Sequence, residues 1–143
     1  MNATPAKSPL ATWKKWVIYT IALGASAILI WTQLPQGPYP TDLDRIGAGK
    51  PAAVLIYDVN TAGGMMTMEH LNPLRTQYSD QMEFLVASQG LPDGREFASR
   101  YRVSSGAVVF FTADGTHSSS MRAPQSVEDL HRPLKRAISQ STP

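Results

Sequence analysis

The absence of cysteine limits what this chain of 143 residues can do. Without a thiol it has no disulfide, no thiolate nucleophile and no cysteine-ligated metal centre. Its 13 Lys and Arg nearly balance 11 Asp and Glu, and the basic residues form no stripe, so no nucleic-acid partner is indicated. Behind an apolar N-terminal segment, the remaining length allows one compact domain.

The first predicted element is a single transmembrane helix over residues 16–34. The run from Trp16 to Trp31 carries no charge, and with the next three residues it reaches about 19, close to the length that a bilayer core requires. Aromatic and basic side chains border the run, as membrane-interface residues do. These residues are Trp13, Lys14, Lys15, Trp16 and Trp31.

The flanking charges predict how this helix is oriented. Lysines precede the run and acidic residues follow it, so residues 1–15 are expected in the cytoplasm and the C-terminal domain in the periplasm of a bacterial inner membrane. A cleaved signal peptide is the alternative, with Ala25-Ser26-Ala27 as the cleavage motif. Apolar residues continue beyond that motif without a polar break, which favours an uncleaved anchor in the lipid bilayer.

Behind the anchor, composition predicts a linker and then one α/β domain. Residues 35–51 are rich in Pro and Gly, which indicates a stiff extended linker. Apolar runs and amphipathic spacing then alternate in the order β-α-β-α-β-β-α over residues 52–140, followed by a tail at 141–143. The strands are expected at 52–57, 82–87, 107–111 and 117–121, and the helices at 65–78, 92–101 and from Val127, with Ser126 as N-cap.

Within that order, several local features resemble the thioredoxin fold. Asp58 follows the first strand and Pro73 lies inside the first helix, as in members of that family. Tyr101-Arg102-Val103 resembles the family's lead-in to its next strand, and Asp114-Gly115 resembles its hairpin turn. The resemblance covers about 90 residues and depends on the sequence order of the pieces.

The sequence departs from the family at the positions that carry the family's chemistry. Counting back from Pro73 places Met65 and Met68 where the family has the cysteines of its Cys-x-x-Cys motif. The family's cis-proline should fall at Ala107, directly after Gly106. Because a thioether can neither deprotonate nor attack a disulfide, thiol oxidoreductase activity is excluded. Asp58 is then expected to hydrogen-bond local backbone.

No other catalytic residue stands out in the sequence. His70, His117 and His131 show no zinc-binding spacing. The run Ser118-Ser119-Ser120 lacks a glycine elbow, and the glycines match no phosphate-binding loop. We therefore expect neither an enzyme nor a cofactor.

Two roles remain for the methionine-rich helix start. Met65 and Met66, with Gly63 and Gly64, could form an adaptable apolar patch at the sheet end where thioredoxins hold extended peptides. They could equally close the helix start without binding anything. Alternatively, soft ligands suited to Cu(I) could bind that ion in a metallochaperone; they are Met65, Met66, Met68 and His70.

The leading functional hypothesis is a binding, scaffold or assembly element of a bacterial envelope complex. The resemblance suggests this, because redox-inactive thioredoxin-like domains occur in conjugative and type IV secretion systems and among cytochrome-assembly factors. Its expected partners are other envelope or membrane proteins. No metal is expected in this role, and the Cu(I) metallochaperone is the alternative.

Overall fold

The computed structural model describes residues 13, 15–21, 24 and 38–141, and the chain divides into two units, 1–37 and 38–143. In the first unit, the described residues are helical. Among all described residues, however, no helix combines the length and apolarity needed to cross a membrane, which takes about 20 residues. The predicted transmembrane helix at 16–34 is therefore wrong on this finding, and so is the single-pass inner-membrane location. Residues 22, 23 and 25–34 of that prediction lie outside the described residues.

The predicted membrane-interface residues are only partly described. Trp13 and Trp16 are 69% and 71% exposed, and Lys15 is exposed too. Lys14 and Trp31 lie outside the described residues. Exposure by itself does not distinguish an interfacial tryptophan from any other surface tryptophan.

The second unit is built on a four-stranded mixed sheet with the order β2-β1-β3-β4. Strands β1 and β2 are parallel, and β3 is antiparallel to both β1 and β4. The apolar runs predicted as strands form the two central strands and β2. The strand bounds are Ala52–Tyr57 for β1, Glu83–Ser88 for β2, Val108–Phe111 for β3 and His117–Met121 for β4.

Three helices cover the two faces of this sheet. They are α1 at Ala62–Tyr78, α2 at Pro92–Tyr101 and α3 at Val127–Ser141. Alternate strand residues face opposite sides, so α1 and α3 share one core that contains Phe110, while α2 covers a second core that contains Phe111. The predicted Ser126 cap of α3 is confirmed, since its Oγ accepts the Asp129 N–H at 3.3 Å. The predicted mixed α/β order is confirmed as well.

The described part of the Pro/Gly-rich segment packs against the domain. It contains a short 3-10 helix, Leu43–Arg45, whose Arg45 forms a 3.1 Å ion pair with Glu83 of β2. The Pro40 carbonyl accepts the Val86 N–H at 2.9 Å, along the outer edge of β2. Because an open sheet edge invites pairing with other chains, this contact covers part of the edge.

Tyr39 fastens the same segment to α1. Its hydroxyl donates to Asn72 Oδ1 at 2.9 Å, and the Arg75 guanidinium carbon lies 4.3 Å from the ring centroid. Burial raises the pKa of the Tyr39 phenol from 10.0 to about 12, although the Arg75 charge opposes that shift. The folded domain therefore favours the neutral phenol.

This shift predicts a loss of stability at high pH. Below pH 10, Tyr39 is neutral in both folded and unfolded chains. Between pH 10 and 12 the unfolded chain loses the proton first, so stability falls as pH rises. In urea unfolding, wild type should be more stable than Tyr39→Phe below pH 10, and the gap should shrink towards pH 12. A gap that stays constant over this range would contradict the raised pKa of Tyr39.

Candidate functional site

The candidate site lies at the sheet edge where the parallel strands β1 and β2 end. The β1–α1 loop, residues 58–61, leads into the first turn of α1. Residues 104–107, just before β3, lie against that turn. The loop after β2 is joined to the end of β1 by a 2.8 Å bond from Gln89 N–H to the Tyr57 carbonyl. In open α/β sheets, the carboxyl ends of the strands are the usual place for ligands.

Ser105 connects the two sides of this site. Its Oγ accepts the Asp58 N–H at 3.1 Å and bonds with the Thr61 hydroxyl at 2.6 Å. Thr61 precedes the first residue of α1 but makes no side-chain capping bond. A hydroxyl that would ordinarily cap the helix therefore holds the 104–107 loop instead.

A second contact fixes the same loop from inside α1. Thr67 is 2% exposed, and its hydroxyl donates to the Gly106 carbonyl at 2.8 Å. A Cβ built on Gly106 would lie 3.0 Å from the backbone of Gly63, and one on Gly64 would lie 2.8 Å from the Tyr57 ring. The two backbones approach closely because glycines occupy both sides.

The four predicted partner-binding residues differ in their exposure to solvent. Met65 and Met66 are 54% and 57% exposed at the start of α1, and the backbone of Gly63 is exposed beside them. Gly64 is buried, so it supports the loop contact rather than the surface. Met68 is partly buried and packs against the core beneath α1. The apolar surface at this helix start therefore consists of the two methionine side chains.

Acid–base chemistry has little support at this site. The Asp58 carboxylate accepts the Asn60 N–H at 2.9 Å, which confirms its expected bond to local backbone. Ser105 is bonded to an amide and a hydroxyl, neither of which can act as a general base. Each of these polar groups has a structural partner.

Two of the three histidines, His117 and His131, lie apart from this site. The His131 Nε2 is 2.8 Å from the Tyr78 hydroxyl, between α3 and α1. On the exposed edge strand β4, the His117 Nε2 lies 2.9 Å from Ser120 Oγ, and the His117 ring packs beside Tyr101. A nucleophile also needs a group that orients its base, and none is found for His117 within residues 38–141.

Helix geometry argues against the copper alternative. Residues of an α-helix are about 100° apart around its axis, so Met66 and His70 share one face while Met65 and Met68 share another. Met68 also packs against the core. The four side chains therefore do not converge on one ion. Among the described residues, no group of three or more His, Asp or Glu side chains could hold a metal either.

The residues that build the site could not be predicted from local sequence. Ser105 and Thr67 bond to groups that are 47 and 39 positions away in the chain. Their only local signal is the Ser-Gly step at 105–106, which is typical of a turn. Arg102, within the predicted strand lead-in, adopts a left-handed conformation with φ of 52°.

Comparison with solved structures identifies the fold. A thioredoxin from Thermus thermophilus superposes with a TM-score of 0.60 and 18% identity, covering 72% of this chain and 87% of that one. A thioredoxin-like protein from Clostridium perfringens gives 0.60 and 11%, covering 68% and 78%. The germline-specific thioredoxin Deadhead from Drosophila melanogaster gives 0.53 and 16%, covering 63% and 83%. Neither the models of protein families nor the curated proteins gave a match.

The chain thus has a thioredoxin-like fold, as its sequence pattern predicted. It has this fold without any cysteine, which is compatible with a redox-inactive domain. Identities below 20% establish the fold alone. Function must therefore be argued from the site itself.

Proposed function

We propose that this chain is a non-catalytic protein-binding module that serves in a larger assembly. It would bind an extended segment of a partner at the start of α1. The observation that carries this proposal is the exposure of Met65 and Met66, 54% and 57%, beside a rigidly bonded loop. Unbranched methionine side chains adapt to varied partners.

The surroundings of the two methionines support a binding surface. Only four large apolar side chains are exposed within residues 38–141, namely Val59, Met65, Met66 and Leu91. Val59 lies in the β1–α1 loop and Leu91 directly precedes α2. All four therefore belong to the loops and helix starts that follow β1 and β2, so they belong to one edge of the sheet. Exposed apolar groups collected in one region mark interaction sites.

The loop contacts explain how such a surface stays in place. The bonds of Ser105 and Thr67 tie residues 104–107 to Thr61, just before α1, and to the second turn of α1. A partner segment would thus meet a preformed surface, which lowers the entropic cost of association.

Charged substitutions at the two methionines test this function. Met65→Glu and Met66→Glu should abolish co-purification of cross-linked partners from native cells, identified by mass spectrometry. Stability should change by no more than about 0.5 kcal/mol, because exposed side chains contribute little to folding. Urea unfolding measures that second quantity.

Met68→Ala is the matched control in the same helix. Met68 packs against the core, so its truncation should cost about 1–2 kcal/mol while partner recovery persists. The proposal fails if Met65→Glu lowers stability as much as Met68→Ala does. It also fails if the glutamate variants recover the same partners as wild type.

A further inference from the structure

A shallow depression beside the site has cationic walls. Its lining residues are Gln89, Arg95, Ala98, Ser99, Arg102 and Val103, so it contains two arginines and no acidic side chain. Arg122 adds a third guanidinium nearby, since its Nη2 lies 3.3 Å from the Arg102 carbonyl. We call these three arginines, Arg95, Arg102 and Arg122, the arginine rim.

None of the three has an acidic partner within the part of the chain that the structure describes. The two ion pairs found there join Arg45 to Glu83 and Arg100 to Glu96. Arg95 instead donates to the carbonyls of Gln89 and Gly90 at 3.1 and 3.3 Å, which fixes its guanidinium against the loop after β2. A guanidinium bonded to neutral carbonyls keeps its full charge available to a ligand.

Arg102 occupies a position that favours glycine. It ends α2 in a left-handed conformation, φ 52° and ψ 47°, and its N–H bonds to the carbonyls of Ala98 and Ser99. Helices commonly end this way with glycine, because a side chain with a Cβ is strained in this conformation. An arginine in this rarely populated conformation points to a function for its side chain.

The arginine rim adjoins the site that carries the proposed function. The Gln89 N–H bonds to the Tyr57 carbonyl, one residue before Asp58. Val103 is followed by the loop whose Ser105 bonds to the β1–α1 loop. Arg95 also donates its backbone N–H to the carbonyl of Leu91, one of the exposed apolar residues. Apolar and cationic groups therefore lie along the same edge of the sheet.

From this arrangement, we propose that the partner is an acidic protein segment. Its apolar side chains would contact Met65, Met66 and Leu91, and its Asp or Glu carboxylates would bind the arginine rim in the bidentate geometry that guanidinium favours. The positive charge is local to the arginine rim. Residues 38–141 contain all 11 acidic residues and 10 of the 13 basic ones, so this part of the chain has no excess of basic residues. This inference rests on the proposed function and specifies its partner.

A protein segment explains this surface better than a nucleic acid does. Proteins that bind single strands present aromatic side chains to stack on bases, and the exposed large apolar residues within 38–141 are aliphatic. Nucleic-acid surfaces also extend as basic stripes, whereas this charge is confined to three residues. An acidic residue flanked by apolar residues could contact both the arginine rim and the exposed apolar side chains.

Peptide selection with the full-length protein tests the inference. A random peptide library is panned against wild type, and a selected peptide is titrated into variants. We expect Asp and Glu to be enriched, affinity to fall as salt is raised, and Arg102→Gly to weaken binding by about tenfold. The melting temperature of Arg102→Gly should stay equal or rise, because glycine suits the left-handed position. Arg132→Gln, an exposed charge on α3, should bind like wild type.

Each other outcome overturns a distinct part of the argument. Selected peptides without acidic enrichment, or acidic peptides that bind Arg102→Gly as well as wild type, reject the arginine rim and leave the binding module intact. Failure to select any peptide rejects the binding module itself. The remaining outcome is a single-stranded oligonucleotide that competes with the peptide and binds Arg102→Gly more weakly than wild type. That result would mean that the arginine rim binds phosphate, and it would reject an acidic protein partner.

Discussion

Gly94→Ala is expected to destabilise the domain by about 3 kcal/mol or more. Gly94 lies in the first turn of α2, where alanine would ordinarily favour the helix. A Cβ at this position, however, would lie 2.0 Å from the Ser88 carbonyl oxygen and 2.7 Å from its nitrogen. Because the overlap is with backbone at the end of β2, no side-chain rotation relieves it. Helix α2 must then move away from the sheet and open the core around Phe97.

Gly90→Ala provides the control for this prediction. Gly90 lies in the loop between β2 and α2, and its Cβ would meet only the Ser88 hydroxyl at an ordinary 3.5 Å. It should cost less than about 1 kcal/mol. Urea unfolding followed by circular dichroism measures both variants. Similar stabilities would show that α2 does not pack against β2 as closely as the structure has it.

Helices and strands were predictable where a single strong sequence pattern determines them. The first strand was predicted with the bounds that it has, because an apolar run is enclosed by Pro51 and Asp58. Helix α2 was also predicted over its observed residues, although Gly94 within it went unexplained. A glycine inside a helical pattern usually has a packing reason. Here that reason is the backbone of β2, which the local sequence cannot reveal.

The N-terminal part was predicted less well. Hydropathy over residues 16–34 predicted a membrane span, but the described helices include none that could span a bilayer. In the next segment, proline and glycine content predicted an extended linker. Tyr39 and Arg45 nevertheless bond to α1 and β2. Composition reports the stiffness of a segment, but it does not report the tertiary contacts of single side chains.

The candidate site was predictable in its position but not in its construction. The resemblance to thioredoxins pointed to the start of α1, where the exposed methionines lie. Ser105, Thr67 and the arginine rim depend on contacts between distant parts of the chain, so no local pattern marks them. The left-handed conformation of Arg102 is equally invisible in sequence, since arginine gives no turn signal.

Gly106→Ala should cost about 2–4 kcal/mol and weaken partner binding as well. Gly106 has φ of 88°, which L side chains rarely adopt, and its Cβ would lie 3.0 Å from the carbonyl group of Gly63. The loop must retreat from the first turn of α1 to relieve that contact. Retreat would stretch the bond from Thr67 to the Gly106 carbonyl, so the surface that presents Met65 and Met66 would lose its support.

Gly49→Ala separates the two causes of this loss. Gly49 has a similar φ of 100°, but nothing lies within 4 Å of its Cβ. It should therefore show only the backbone cost, about 1–2 kcal/mol, and bind the selected peptide with wild-type affinity. The excess cost of Gly106→Ala over Gly49→Ala then measures the close approach of the loop to α1. Equal costs, with peptide binding retained in both variants, would mean that this approach does not hold the site together.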